Sequence, residues 1–252
     1  MKTYLWPSEF LTLVSSPAVP LRWRRLFALA VYTFTRAGEL AALDWSDVDL
    51  DHGAMHIHHA LDRVRGTGIK ATKTEAARRI PIEANVRPLL TALNIEANGR
   101  GAVFRLPGAS VLSRKLRGYL ARAGITRADL FASDATRKAI TFHDLRATGL
   151  TWCAVRGDDP LKIMQRAGHA DFETTKIYLR EAENLSHGFG DVFPALPGEL
   201  LHRPIRARGV SVSVSASPIP AFMASRKNKQ FVVELTGIEP VTSCMPCKRS
   251  PI

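Results

Sequence analysis

A short stretch of strand-like sequence interrupts a chain that is otherwise patterned as helices. Residues 54–64 (AMHIHHALDRV) and 78–82 (RRIPI) have the composition of β-strands, and the link between them is rich in Gly, Lys and Thr. Helical patterns lie on either side, at residues 21–35, 84–97, 110–123, 143–156 and 172–183, with one more opened by the N-cap Asp159 and Pro160. The sequence therefore predicts a mainly α fold of the α+β class with one small antiparallel β-sheet.

Two segments of different character follow from the same patterns. Residues 1–190 read as one folded unit. In residues 191–252 the pattern weakens, and the stretch 210–230 is rich in Ser, Ala and Val without an amphipathic helical period. We therefore predict a poorly ordered C-terminal tail over residues 191–252.

The charge balance points to a polyanionic partner. Lysine and arginine number 35 against 23 acidic residues, which gives a net charge of +12 and a pI near 10.1. Nucleic acid is the commonest partner of such a protein, although a merely basic protein remains the alternative. Three cysteines form no disulfide framework, and no apolar run approaches the ~18 residues of a membrane span. A cytoplasmic protein without membrane contact is expected.

Candidate phosphate-binding residues occur in two motifs. The stretch TFHDLRATGLTW contains His143-x-x-Arg146, and TFTRAGELAALDW contains Arg36 at a junction between helices. Guanidinium groups donate paired hydrogen bonds to phosphate oxygens, so two arginines suit a phosphodiester. The alternative for Arg36 is a surface residue at a helix end, paired with Glu39 at helical spacing.

Three further candidates have equally ordinary alternatives. Lys73 is predicted at the turn of the β-hairpin, where it would reach a groove or simply be a solvated charge. His169 follows a glycine at a turn between two helical patterns, and Tyr178 falls in the helix after it. Nucleophilic use of Tyr178 requires nearby cations or a base, because a free tyrosine has a pKa of about 10.

Taken in order, these stretches resemble the tyrosine recombinases, or phage-type integrases. TFTRAGELAALDWSDVDLD resembles the box of the family's first arginine, ATKTEAARRIPI its β-hairpin lysine segment, TFHDLRATGLTW its His-x-x-Arg box, and AGHADFETTKIYLR its Gly-His and tyrosine box. The resemblance covers residues 3–183 and implies the fold of a tyrosine-recombinase catalytic domain. Each box alone is a weak signal, whereas four in the right order are a strong one.

The resemblance implies a role for each candidate. Arg36 and Arg146 would clamp the scissile phosphate, and His169 would hydrogen-bond one of its oxygens. His143 would assist proton transfer or hold the phosphate, and Lys73 would protonate the leaving 5′-oxygen. Such cationic donors stabilise the charge that develops on a pentacoordinate phosphorus.

By the same resemblance Tyr178 would be the nucleophile, forming a 3′-phosphotyrosyl link in a site-specific recombination reaction on double-stranded DNA. This chemistry needs no metal, ATP or other cofactor, in keeping with a sequence that shows no GxxxxGK[ST] loop and no evident carboxylate cluster. The family also implies a homo-oligomer, a tetramer on two DNA sites.

Two departures from the family pattern carry expectations of their own. Family members often have Thr-Gly-Leu before the first arginine, whereas this chain has Thr33-Phe34-Thr35, so an altered helix junction is expected there. We also expect the usual N-terminal core-binding domain to be absent, since residues 4–16 already resemble the start of a catalytic domain. The alternative function is therefore a truncated, catalytically silent DNA-binding remnant of a mobile-element integrase.

Other interpretations are weaker. A type IB topoisomerase shares the chemistry, but the short spacing between the histidine and tyrosine boxes favours a recombinase, and RNA binding would leave the four boxes a coincidence. His56 and His58 share a strand face without an evident third metal ligand, and Cys244-x-x-Cys247 is at most half of a zinc site. No metal site is predicted.

Overall fold

Eight α-helices and five short β-strands build the part of the chain that the computed structural model describes, residues 3–61, 69–71, 77–135, 137–185 and 188–202. The helices are α1 (Pro7–Ser15), α2 (Leu21–Tyr32), α3 (Ala37–Ala42), α4 (Arg87–Glu96), α5 (Ala109–Arg122), α6 (Asp144–Arg156), α7 (Pro160–Ala167) and α8 (Phe172–Glu183). The strands are β1 (Val48–Asp49), β2 (Ala54–Ile57), β3 (His59–Leu61), β4 (Ile69–Ala71) and β5 (Arg78–Pro81). The predicted mainly α fold with a small antiparallel sheet is confirmed.

Helices α2 and α6 pack against each other at the centre of the fold. Both are buried along most of their length, from Arg24 to Tyr32 in α2 and from Leu145 to Cys153 in α6. Gly149 makes the close approach possible: a Cβ atom there would lie 2.2 Å from the main-chain oxygen of Val31. Helix α8 packs on α6 in turn, so the element that carries Tyr178 lies against the element that carries Arg146.

An aromatic cluster joins these helices to the segment after α8. The ring of Phe193 makes edge-on contacts with Tyr32, Phe34 and Trp152, at centroid distances of 5.4, 5.9 and 5.4 Å. Trp152 also meets Phe10 of α1 edge-on at 5.3 Å. Edge-to-face pairs of this kind add to the burial of the rings themselves.

The folded unit therefore continues past the predicted boundary at residue 190, at least to residue 202. Phe193 and Leu200 are buried, and the main-chain oxygen of Leu200 accepts a hydrogen bond from Nε of Arg25 at 2.7 Å. This stretch has irregular backbone apart from one turn of 3-10 helix, Gly198–Leu200, so its apolar residues lack the periodicity that sequence analysis recognises. The remainder of the predicted tail, residues 203–252, lies outside the described residues.

The strand region is more divided than the sequence predicted. The first predicted strand breaks at His58: β2 pairs antiparallel with β1 and β5, whereas β3 pairs antiparallel with β4 in a separate two-stranded sheet. Strand β4 was expected to be part of the link. Strand β3 packs on α3, where a Cβ at Gly38 would lie 2.7 Å from the oxygen of Leu61.

Asp159 caps α7 by accepting hydrogen bonds from the main-chain N–H groups of Leu161 and Lys162, as predicted. None of the helices in the described ranges is long and apolar enough to cross a membrane.

Candidate active site

Arg36 stands at the N-terminus of α3, where its guanidinium is partly open to solvent. It is the N-cap residue, with an extended backbone, and 45% of its side chain is exposed. Its Nη1 donates to Oε1 of Glu39 at 2.9 Å, and its Nη2 reaches the main-chain oxygen of Gly168 at 3.4 Å. The pairing with Glu39 that helical spacing indicated is present, but it leaves part of the guanidinium accessible to a ligand.

Arg146 lies at the centre of the site and is almost completely buried. Its side chain is 3% exposed, with Nη1 donating to the oxygen of Phe34 and Nη2 to the oxygen of Ala167, each at 2.5 Å. Burial, followed by the positive charge of Arg36, lowers the pKa of Arg146 to about 10. The guanidinium therefore stays charged at neutral pH and is held by main-chain carbonyls from two separate parts of the chain.

Glu39 connects three arginines. Its side chain is 2% exposed and accepts hydrogen bonds from both Arg36 and Arg78, while Arg146 Nη1 lies 3.9 Å from its Oε2. Burial acts to raise the pKa of Glu39, but the hydrogen bonds and charge of Arg78 outweigh it, with help from Arg36, and hold the pKa below its ordinary value. One buried carboxylate thus faces three guanidinium groups, and the cluster keeps an excess of positive charge.

Two features of this cluster were not predicted from the sequence: the presence of Arg78 and the burial of Glu39. Arg78 begins β5, and its side chain is 7% exposed. The period-two alternation of RRIPI was the available signal, because it puts Arg78 on the same face of the strand as the buried Ile80. A cation on an inward-facing position requires a buried partner, and Glu39 is that partner.

His169 and Tyr178 lie next to each other beyond the end of α7. Gly168 closes α7 with a left-handed backbone (φ +63°), and His169 follows it. Nδ1 of His169 lies 3.0 Å from the hydroxyl of the buried Thr175, which fixes the plane of the imidazole. The rings of His169 and Tyr178 are nearly parallel, 11° apart, with centroids separated by 5.9 Å.

The Tyr178 phenol is neutral at physiological pH. The residue is 4% exposed, and burial raises its pKa above the ordinary value, although the positive charge of Arg146 opposes the shift. Asp144 adds to the increase and Arg36 opposes it. Any nucleophilic use of this oxygen therefore requires that its proton be removed as the new bond forms.

The two remaining candidates are His143 and Lys73. His143 is the exposed N-cap residue of α6, and its main-chain oxygen accepts from the N–H of Arg146 at 3.1 Å. It therefore stands at the start of the helix that carries Arg146. Lys73 lies outside the described residues, so its predicted place at the hairpin turn stays a prediction.

The histidines of the strand region lie close to one another. The rings of His56 and His58 stack with centroids 4.5 Å apart, and His58 Nε2 lies 2.7 Å from Oδ1 of Asp47. Within the described ranges, no group of three or more His, Cys, Asp or Glu side chains is arranged to hold a metal ion. Cys244 and Cys247 fall outside those ranges.

What the site can do chemically follows from its charges. Arg36 presents donors toward solvent, Arg146 supplies a fixed buried positive charge, and Tyr178 lies on the helix packed beside it. Guanidinium donors held in place by a protein bind phosphate oxygens and stabilise charge that builds up on phosphorus. The arrangement suits attack by a neutral hydroxyl on a bound phosphodiester.

Comparison with known proteins identifies the family. The sequence profile of the phage integrase family matches residues 5–184, well over half of the chain. The chain belongs to the phage integrase family. The match confirms the resemblance drawn from the four sequence boxes. Its bounds lie close to residues 3–183, the range that the resemblance covers.

Several curated relatives are similar over the same region. The ICEBs1 integrase of Bacillus subtilis (strain 168) is 25% identical over 193 residues, covering 69% of this chain and 49% of that protein. The integrase of Staphylococcus phage L54a is 29% identical and is matched over 46% of its length, and the tyrosine recombinase XerD of Neisseria meningitidis is 28% identical and matched over 51%. The chain thus spans about half the length of each of these three relatives.

Solved structures share the fold. The Tn1549 transposon integrase in complex with circular intermediate DNA superimposes with a TM-score of 0.58 at 21% identity, covering 73% of this chain and 67% of that one. The XerA recombinase superimposes with a TM-score of 0.53 at 23% identity, covering 73% and 61%. At these identities the similarity shows that the present chain has the same fold as these two proteins.

Proposed function

We propose that this chain is a site-specific DNA recombinase that cleaves and rejoins DNA strands through a 3′-phosphotyrosyl intermediate, without metal or ATP. Family membership supports the reaction class. The observation that carries the proposal is the grouping of Tyr178, His169 and Arg146 on two packed helices and the turn before one of them, with Arg36 linked to Arg146 through Glu39.

In the proposed reaction the phenolic oxygen of Tyr178 attacks the phosphorus of a DNA phosphodiester, and His143 accepts the proton that the phenol releases. The P–O bond to the 5′-oxygen breaks as the O–P bond to tyrosine forms, and Lys73 supplies the proton that the leaving oxygen takes up. Arg36, Arg146 and His169 hold the non-bridging oxygens. A 5′-hydroxyl then reverses the same steps, so one phosphodiester is exchanged for another without an external energy source.

The proposed substrate is double-stranded DNA. The Tn1549 transposon integrase of similar fold is described in complex with a DNA molecule. In this chain the exposed side of α5 carries three cations, Arg114, Lys115 and Arg122. Helix α5 contacts the segment just before His143, since Arg117 donates to the main-chain oxygen of Ile140 at 3.0 Å. We infer that helix α5 contacts DNA phosphates beside the active site. We also propose that the protein acts as a homo-oligomer, a tetramer assembled on two DNA sites.

The second candidate is a DNA-binding remnant that no longer cleaves. The observation in its favour is that Tyr178 is 4% exposed and that burial raises its pKa, both of which oppose its use as a nucleophile. A protein with the same cationic surface would still bind duplex DNA through its phosphates. The two candidates differ in one measurable property, the formation of a covalent protein–DNA link.

The decisive experiment is a covalent-adduct assay in EDTA with labelled duplex fragments from the DNA that flanks this chain's own gene. The wild type is compared with Tyr178→Phe, which keeps the buried ring and removes only the nucleophilic oxygen. A denaturant-stable adduct that is absent in the variant supports the recombinase. Binding of both proteins without an adduct from either would favour the non-cleaving remnant.

A further inference from the structure

Arg78 is a buried arginine to which neither the sequence motifs nor the proposed reaction assigns a role. It is the first residue of β5, where its backbone pairs with Ile57, and its side chain is 7% exposed. The guanidinium makes a bidentate contact with Glu39, with Nη1 at 3.1 Å from Oε1 and Nη2 at 2.8 Å from Oε2. Nε donates to the main-chain oxygen of Arg166 at 2.9 Å.

The same guanidinium packs against the turn that carries His169. A Cβ atom at Gly168 would lie 3.0 Å from Nη1 and 3.1 Å from Cζ of Arg78, so only glycine leaves room for this contact without a shift. Gly168 also has a left-handed backbone and accepts the long hydrogen bond from Arg36. Arg78 therefore contacts both the end of α7 and the carboxylate at the start of α3.

We propose that Arg78 is a positioning residue. From strand β5 it holds two parts of the phosphate-binding cluster in place, Arg36 at the start of α3 and the turn that carries His169. Through Glu39 it sets the direction of the Arg36 guanidinium, and through Arg166 and Gly168 it sets the position of the turn before His169. The inference rests on the proposed recombinase function. It assigns Arg78 no contact with the DNA, because the hydrogen bonds above are directed into the protein.

The shape of the side chain explains why the position holds an arginine. A planar guanidinium can donate two parallel bonds to one carboxylate while its Nε donates sideways to a carbonyl. A lysine ammonium is a single point charge on a flexible stem, so it would neutralise Glu39 without holding both the carboxylate and the turn. Charge alone does not replace the three directed bonds.

The test compares Arg78→Lys with Arg79→Lys, its neighbour on the same strand, whose side chain is exposed. Misplacement of catalytic groups by about 1 Å costs on the order of 100-fold in rate. We therefore expect Arg78→Lys to slow adduct formation by roughly 10- to 100-fold at saturating DNA, with DNA affinity changed by less than about 3-fold. Arg79→Lys should cleave like the wild type.

Chemical rescue separates positioning from a general loss of structure. In Arg78→Ala, added methylguanidinium should restore part of the cleavage rate, whereas methylammonium at the same concentration should not, because only the former has the fork of donors. Thermal unfolding of each variant serves as the control that its fold is retained. Equal rescue by both cations, or a wild-type cleavage rate in Arg78→Lys, would overturn the inference and leave the recombinase function intact.

A readout without DNA keeps the two proposals distinct. If wild-type protein forms no adduct, the proposed function fails, and the Arg78 contact is judged from the titration of the Glu39 carboxyl by NMR. Loss of Arg78 in Arg78→Gln should raise the pKa of Glu39, since the hydrogen bonds and charge of Arg78 are what lower it most. An unchanged Glu39 titration would show that Arg78 does not hold this carboxylate.

Discussion

The main-chain oxygen of Phe34 accepts a hydrogen bond from Nη1 of Arg146 at 2.5 Å, which ties the turn after α2 to the middle of α6. Phe34 makes this contact from a left-handed backbone, with φ +53°, a conformation that favours glycine. Sequence analysis expected an altered helix junction where Phe34 replaces the family's frequent glycine. In this chain a phenylalanine occupies the left-handed position, and its ring is fully buried and packs on Phe193.

This conflict between backbone and side chain predicts an unusual order of stabilities at position 34. Phe34→Ala should lower the free energy of unfolding by about 3–5 kcal/mol, the usual cost of deleting a buried phenyl ring. Phe34→Gly removes the same ring but relieves the left-handed strain, so it should be about 1 kcal/mol less destabilised than Phe34→Ala. Urea unfolding of the three proteins gives both differences. An alanine variant at least as stable as the glycine variant would contradict the strain.

The contact between α2 and α6 predicts opposite effects of two Gly→Ala substitutions. A Cβ at Gly149 would lie 2.2 Å from the oxygen of Val31 and 2.8 Å from a ring carbon of Phe34. Gly149→Ala should therefore destabilise by about 1–3 kcal/mol or more through overpacking. Gly118, in the exposed face of α5, has nothing within 4 Å of such a Cβ. Gly118→Ala should stabilise by about 0.5–1 kcal/mol in the same unfolding assay.

Glu39 predicts a pH-dependent contribution to stability. Its folded-state pKa lies below the unfolded value of 4.5, so the charged carboxylate stabilises the fold above about pH 4.5. That contribution is lost as the pH falls through the lowered folded-state pKa. Glu39→Gln should cost about 3–5 kcal/mol at neutral pH, because it leaves buried guanidinium groups without their counter-charge. Unfolding measured at several pH values should show this difference shrinking as acid protonates the wild-type carboxylate.

A surface glutamate supplies the matched control for that change. Glu173 pairs with Lys176 on α8, but 65% of its side chain is exposed. Glu173→Gln should change the unfolding free energy by less than about 1 kcal/mol, as exposed ion pairs contribute little. Comparable losses in the two variants, or a Glu39→Gln effect independent of pH, would contradict the central role of Glu39.

The environment of Tyr178 predicts that the phenol ionises only in strongly alkaline solution. Burial raises its pKa above the ordinary value of about 10, so the difference in tyrosinate absorbance between wild type and Tyr178→Phe should develop only above about pH 10. In Arg146→Gln the titration should move still higher, because the charge of Arg146 opposes the increase. Tyrosinate absorbance from this residue near neutral pH would be inconsistent with a buried, neutral phenol at this position.

The cations of α5 predict the salt dependence of DNA binding. Each phosphate contact contributes about 0.9 to the slope of log K against log salt concentration on duplex DNA. Replacing Arg114, Lys115 and Arg122 by glutamine should therefore reduce that slope by up to about 2.7 and weaken binding to all duplex sequences alike. Equilibrium binding over a range of salt concentrations measures both. An unchanged slope would remove α5 from the proposed interface.

The candidate site residues were predictable from the sequence where short local motifs contain them. Arg36, Arg146, His169 and Tyr178 stand in three of the four short boxes, and the structure brings their elements together. His143 stands at the start of α6, the helix that carries Arg146, and its role stays a prediction. Glu39 looked like a surface partner because helical spacing reveals a neighbour but says nothing about burial.

The sequence by itself determined the order of six of the helices, the mainly α class, the presence of antiparallel strands and the family, because periodicity and short motifs are local properties of the chain. Only the tertiary structure decided that Glu39 is buried among three arginines, that Arg78 is one of them, and that residues 191–202 pack on the core. Burial and charge pairing depend on distances between residues far apart in the chain. Those distances exist only once the helices have packed.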